Sequence, residues 1–482
     1  MFNLSVRYGI GFLRRDKRPL KRRFVALCVP VLTSTGPGLA CGGPCDDLAP
    51  TDTPREADLT CLDRWLDVEQ SWPDGETRAL AEDRLAELSL QAESLSDAAF
   101  YLRVSEITAL SKNAHSGLSR VPVREEFALL PIRVYWFDEG LFVVRAAAAQ
   151  GHLLGARVVA IAGHSPESLL ERMRVYSVET DEGFRAYEPN WLFLAPDLLH
   201  AAGLDDTPES VSVSLMLPSG ELTSVDLAAH SSAEGYAAAD PWRLLHPDPL
   251  DHEADAWVTW LGETQTALPW SLEEVSQPFR YRFLADEKVA HVQFRSNAAE
   301  ESGEKIRKFV RKVKRRLRRD NPRHIIWDQR YNPGGNLNTT ARVARKLHRW
   351  LPSDGRVFSL TSHATFSAGI YTAFFPEAAD AARTTVVGTR VGDYDRFWAE
   401  SGPAIVLPET GWRVGYALER HNLADGCDDR SECHIRRRWN IAVGSLDPEV
   451  RVPQRAEDVL GGHDAVVEWV LREIGPGGQG NR

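Results

Sequence analysis

The chain has 482 residues, 43% of them hydrophobic and 26% charged, ordinary values for a folded globular protein of about two to four domains. That balance excludes disordered and collagen-like classes, and the lack of any apolar run of about 18 residues excludes a polytopic membrane protein. A formal charge of -11 argues against nucleic acid as the main partner.

The first 40 residues run against that charge. Arg7, Arg14, Arg15, Lys17, Arg18, Lys21, Arg22 and Arg23 stand there against Asp16 alone. A short apolar stretch from Phe24 to Leu32 and small residues up to Ala40 follow, the order of a secretory signal. Gly38-Leu39-Ala40-Cys41 resembles a bacterial lipoprotein signal, although Gly38 stands where leucine is usual and Leu39 where a smaller residue is. The expectation is an exported chain in the periplasm or cell envelope, held at a membrane surface by lipid on Cys41. Cys28 would be lost with the signal. Four cysteines then remain in two local pairs, Cys45 with Cys61 and Cys427 with Cys433, which predicts two disulfides.

Residues 41–60 are rich in Gly, Pro, Asp and Thr and read as a tether. From 61 to 124 the apolar spacing is helical, broken by Pro73-Asp74-Gly75. Residues 125–270 are β-rich, with strand-like runs at 132–136, 141–144, 158–161 and 211–217. Residues 271–475 alternate strand and helix: strands at 289–294, 325–327, 357–360 and 385–387, helices at 301–319, 339–350, from Ser367, and at 464–474. This order predicts an α/β multidomain protein ending in a βα-layered core. The helix at 301–319 carries ten basic residues, but Ile306, Phe309, Val310, Val313 and Leu317 mark a buried stripe, so the basic face reads as solvated.

Two stretches of the core carry chemistry. Asp328-Gln329-Arg330-Tyr331-Asn332-Pro333-Gly334-Gly335 follows directly on a buried strand, where a double glycine either makes a tight turn or turns bare N–H groups toward a ligand. Thirty-two residues after Gly335 comes Ser367, in Thr365-Phe366-Ser367-Ala368-Gly369 at a strand-to-helix turn. A serine there either caps the helix or serves as a nucleophile beside the helix dipole.

Together, D-x-R-x-N-x-G-G and T-F-S-A-G resemble the tail-specific (carboxyl-terminal-processing) serine peptidase family, which includes the tricorn core. The resemblance runs from about residue 62 to 475 and takes in Asn113-Ala114-His115-Ser116-Gly117, Val387-Gly388, Leu407-Pro408, Leu446 to Val450 and Asp464. It implies a crotonase-like βα core and peptide hydrolysis without a cofactor or metal. Ser367 matches the nucleophile, and Ala368 with Gly334 or Gly335 matches the oxyanion hole. Gly155 to Gly163 resembles part of a PDZ domain, so the middle region is expected to be PDZ-like.

The chain also departs from that pattern. Many members have a lysine base some 25 residues after the serine, but the stretch Val387 to Tyr394 has none, and Arg390 cannot deprotonate. The resemblance is therefore to the tricorn-like branch, with His115 as base and Glu400 or Asp425 as the acid; Ala114 stands where tricorn has serine. His363 is a strand-end polar residue or a second candidate base. A zinc site at Cys427, Cys433 and His434 competes with the disulfide. The expected function is hydrolysis of peptides or protein tails; the alternative is an inactive pseudo-peptidase that binds them. Hydrolysis of a non-peptide ester or amide would use the same machinery.

Overall fold

The computed structural model describes residues 29–33, 36–40, 43–49, 51, 53, 55–120, 126–230, 241–248, 250, 257–264, 267–298, 305–400, 404–427, 433 and 439–475. Cys28, Cys41 and His434 lie outside them, and so does most of the signal-like segment. Among the described residues no helix is long and apolar enough to cross a membrane.

After a short antiparallel ribbon of β1 (Val29–Thr33) and β2 (Gly36–Ala40), three helices follow: α1 (Glu56–Val68), α2 (Gly75–Gln91) and α3 (Asp97–Ala109). Asp74 and Ser96 start α2 and α3 by accepting the N–H of Thr77 and Ala99, so the Pro73-Asp74-Gly75 break is also a cap. The short strand β3 (Gly117–Leu118) ends this unit.

The middle region forms an antiparallel sheet in the order β4 (Ile132–Phe137), β5 (Gly140–Ala147), β6 (Arg157–Ile161), β7 (Ser210–Met216) and β8 (Leu222–Ala228), with β9 (Trp257–Thr259) paired to β5. Between β6 and β7 lie α4 (Pro166–Met173), α5 (Asp181–Tyr187) and α6 (Pro196–Ala201), and α7 (Trp260–Thr264) follows β9. Alternation alone marked four of these strands. It missed β8, whose side chains are mostly exposed, and β9, which is only three residues long.

The core sheet runs β10 (Phe279–Leu284), β11 (Val289–Phe294), β12 (His324–Asp328), β13 (Val357–Thr361), β14 (Thr384–Gly388) and β19 (Val450–Arg451). All neighbours are parallel except the β10–β11 pair. Every residue of β11, β12, β13 and β14 is buried, the continuous run a doubly covered parallel sheet requires. Successive side chains point to opposite faces. Ile325 and Trp327 meet α8 (Ile306–Asp320) and α10 (Ala368–Ala379), while Ile326, Phe358 and Val387 meet α12 (Ala465–Ile474). The buried stripe of α8 is the expected one, and its basic residues face outward. The expected helix at 339–350 is instead a single α turn, α9 (Ala341–Ala344), between 3-10 turns at Leu337–Thr339 and Leu347–Trp350.

After β14 come β15 (Arg396–Ala399) paired with β18 (Glu419–Asn422), and a hairpin of β16 (Ile405–Val406) and β17 (Arg413–Gly415). The short helix α11 (Ala456–Leu460) leads to α12. Strand β17 also pairs with β3, so the hairpin carries the N-terminal helices. Trp65 donates to Gly415 O at 2.8 Å, and Asp58 accepts the N–H groups of Glu409 and Thr410 at 2.7 and 3.1 Å.

Cys45 and Cys61 are disulfide-bonded with Cα atoms 5.6 Å apart, and Cys427 and Cys433 with Cα atoms 5.8 Å apart. The first bond, at a sequence separation of 16, staples the segment before α1 onto that helix. Breaking it by Cys45→Ala should lower stability by about 3 kcal/mol in urea unfolding, since it closes a loop of that order. Thiol titration of the unfolded, unreduced exported chain should find none of the four cysteines free.

Candidate functional site

The carboxyl ends of β12, β13 and β14 converge at one edge of the core sheet, the usual place for a site in a parallel sheet. Ser367 lies past the end of β13 and immediately before α10. Its backbone has φ 52 and ψ -126, a conformation non-glycine residues rarely adopt. The side chain does not cap the helix, so the bland role for this serine falls away. Ala368 is the first helical residue, and its N–H has no intrahelical partner. A strained serine joined to a free helix N–H is the arrangement of a nucleophile elbow.

The double-glycine loop is bolted against this turn. Phe366 N–H donates to Asn332 O at 3.0 Å, and Thr365 Oγ1 donates to Gln329 O at 2.9 Å. Ser362 Oγ donates to Arg330 O. Asn332 Oδ1 accepts the N–H of Gly334 at 3.0 Å, and its amide donates to Asn297 Oδ1 at 3.0 Å. Asn297 in turn donates to Ala368 O and Thr372 Oγ1. The N–H of Gly334 is thus spent within the loop, while Gly335 lines a cavity of about 330 Å³ with Ser367 and Ala368. Asn297, buried between loop and helix, escaped the sequence reading because a lone polar residue after a strand has no spacing to mark it.

Gly334 has φ +110, and a Cβ there would lie 2.7 Å from Ser367 Cβ and 3.0 Å from Ala368 N. Gly334→Ala should therefore displace the serine turn, slowing active-site labelling at least tenfold and costing about 1–3 kcal/mol in thermal unfolding.

Arg330, the arginine of D-x-R, is a fastener. It is paired with Asp328 at 2.8 Å and Asp464 at 2.7 Å, tying the loop to the start of α12. Burial would raise the Asp328 carboxyl, but Arg330 and a hydrogen bond with His291 outweigh it and hold it well below the usual carboxylate range.

His115 reaches the same region from the N-terminal unit. Asn113 Oδ1 accepts Trp398 N–H at 3.1 Å and its amide donates to Ser116 Oγ at 2.8 Å, fixing the turn that carries the imidazole. The ring stacks on Phe366, next to Ser367, with centroids 4.4 Å apart, and on Phe397 at 5.1 Å. Its Nδ1 is 3.3 Å from Asp393 Oδ2, and the Asp393 side chain is fully buried. The imidazole lines an adjoining cavity of about 320 Å³, not the one that holds Ser367. Neither acid named from the sequence reaches it: Asp425 is an exposed partner of Arg396 at 2.6 Å, and Glu400 lies 3.8 Å from His421. Asp393 was missed, though it sits in the segment that lacks the lysine.

The other histidines divide. His363 lines a separate cavity of about 670 Å³ between the middle sheet and the end of the core. Burial, with Arg185 beside it, pushes its pKa down to about 4, and it does not share the Ser367 cavity. His421 does share that cavity; its Nδ1 is 2.9 Å from Tyr371 Oη, and its ring stacks on the face of Phe397 at 4.8 Å. No periodicity or motif singled out His421. The disulfide consumes Cys427 and Cys433, so neither is a thiolate available to zinc.

No protein-family model and no curated protein matches the chain. Among solved structures it is similar to mature CPAF, at 14% identity and TM-score 0.49 over 86% of this chain and 95% of that one. It is similar also to the photosystem II D1 C-terminal processing protease, at 13% identity and TM-score 0.38 over 88% and 99%. A third is a putative S41 protease from Bacteroides fragilis NCTC 9343, at 12% identity and TM-score 0.28 over 75% and 86%.

Proposed function

We propose that this chain is a serine peptidase of the tail-specific kind, hydrolysing peptide bonds in peptides or protein tails. The carrying observation is Ser367 at φ 52 between strand and helix, with Ala368 N–H and the double-glycine loop packed on it. In this reading Ser367 Oγ attacks the scissile carbonyl and its proton passes to His115 Nε2. Asp393 holds the imidazolium that forms. The N–H groups of Ala368 and Gly335 stabilise the oxyanion, since Gly334 N–H already serves Asn332. His115 then returns the proton to the leaving amine. The two disulfides support an exported protein, and Cys41 would carry the lipid.

One observation favours the other reading, a peptide-binding module without turnover: the Ser367 hydroxyl makes no hydrogen bond to an imidazole among the described residues. Apo geometry is often looser than the reacting complex, so labelling decides between them. A fluorophosphonate probe should modify the wild-type chain between pH 6 and 9. Failure to label anywhere in that range would establish the binding module instead.

A further inference from the structure

We propose that Glu179, through Asp393, is a positioning residue for His115 that strengthens its capacity to take the serine proton. This rests on His115 acting as the base.

Glu179 precedes α5, and its side chain is 6% exposed. One oxygen accepts from Arg120 at 2.5 Å; the other, Oε2, is buried with no hydrogen-bond partner. That oxygen lies over Gly183, where a Cβ would stand 2.6 Å from Glu179 Oε2 and 3.1 Å from Gly392 O. Gly392 immediately precedes Asp393, whose Oδ2 likewise has no hydrogen-bond partner and faces His115 Nδ1. Two buried carboxylates with unspent oxygens thus sit in one neighbourhood, Asp393 against the imidazole and Glu179 behind the Gly392–Asp393 backbone, lining the same cavity as His115.

Glu179 is the member able to change charge. Glu188, after α5, takes two bonds from Arg120 at 2.8 and 3.1 Å and another from Ser177 at 2.7 Å, so both its oxygens are engaged. Burial pushes Glu179 up to about 7; Arg120 opposes this, and Glu188 and Asp393 add to it. Tyr394 and the Arg174–Asp181 pair lie on the Asp393 side, and Tyr101, Tyr176 and Arg413 line the same cavity as Glu179 and His115. When Glu179 ionises, a second negative charge stands behind Asp393 and favours the imidazolium. The serine proton still goes from Ser367 Oγ to His115 Nε2, and Glu179 acts by charge alone.

The test follows the His115 ring by NMR titration in the full chain, assigned with His115→Gln, alongside the pH profile of kcat/KM. Glu179→Gln should lower the His115 midpoint by about half a unit or more and move the acid limb of kcat/KM the same way. Glu179→Asp, which keeps the charge but draws it back, should lie between, and it serves if Glu179→Gln does not fold. His421 should not move. An unmoved His115 midpoint in the folded variants would overturn the proposal. A shifted midpoint in a chain that never labels with fluorophosphonate would uphold the coupling and reject the peptidase reading.

Discussion

Ser367→Ala should abolish fluorophosphonate labelling and lower peptide turnover by a factor on the order of 1,000 or more, with Tm within a few degrees of wild type. The small stability change follows from the local geometry. Alanine keeps the Cβ, so the φ of 52 costs the same in both chains, and the hydroxyl it removes does not cap α10. A backbone in this region costs about 1–3 kcal/mol and persists only where the surroundings over-determine it. Here Phe366 N–H is held by Asn332 O, and Gly369 leaves no room for a Cβ against that same carbonyl. Ser367→Gly sharpens the test. It should be equally inactive yet at least as stable, because glycine accepts a positive φ without penalty. A stable glycine variant would show that the strain serves the hydroxyl rather than the fold. Labelling that survives Ser367→Ala would place the nucleophile elsewhere.

The βα core was legible because its signals are local. Buried strands such as Ile325-Ile326-Trp327, the stripe of α8 and the glycine and serine motifs are each contained within about fifteen residues. The strand-to-helix turn that carries Ser367 was legible for the same reason. What could not be read depends on long-range packing. Asp393 pairs with a histidine 278 positions earlier, and only the docking of β3 on β17 brings them together. His421 enters the Ser367 cavity because β18 pairs with β15, two short strands with no alternation to announce them. The helix expected at 339–350 breaks at both ends because Asn336 caps a 3-10 turn toward the site and Leu351, directly before Pro352, is extended. Glu400 and Asp425 were named as acids for their chemistry alone, and burial decides against them. Each is exposed where Asp393 is not.

His115→Ala should lower kcat/KM by a factor on the order of 100 or more, and the wild-type value should rise with pH as the imidazole loses its proton. The argument rests on how the histidine is delivered. Serine needs a neighbour to take its proton near neutral pH, and no lysine stands in the segment after β14. His115 is 252 positions before Ser367, yet its ring lies flat on Phe366 with Asp393 on Nδ1. That carboxylate, 3.3 Å from Nδ1 though not hydrogen-bonded to it, favours the proton on Nδ1 and leaves Nε2 to accept. The contacts that dock the histidine's unit on the core are Asn113 to Trp398, β3 to β17, Trp65 to Gly415 and Asp58 to the β16–β17 turn. A fragment of residues 271–475 should therefore be inactive even where it folds, and adding residues 43–270 in trans should restore turnover only if these contacts re-form. The competing base is His421, which shares the serine's cavity without any such delivery. His421→Ala should retain most of the activity that His115→Ala loses. The reverse outcome would assign the proton to His421, with Glu400 behind it, and would leave the 271–475 fragment active.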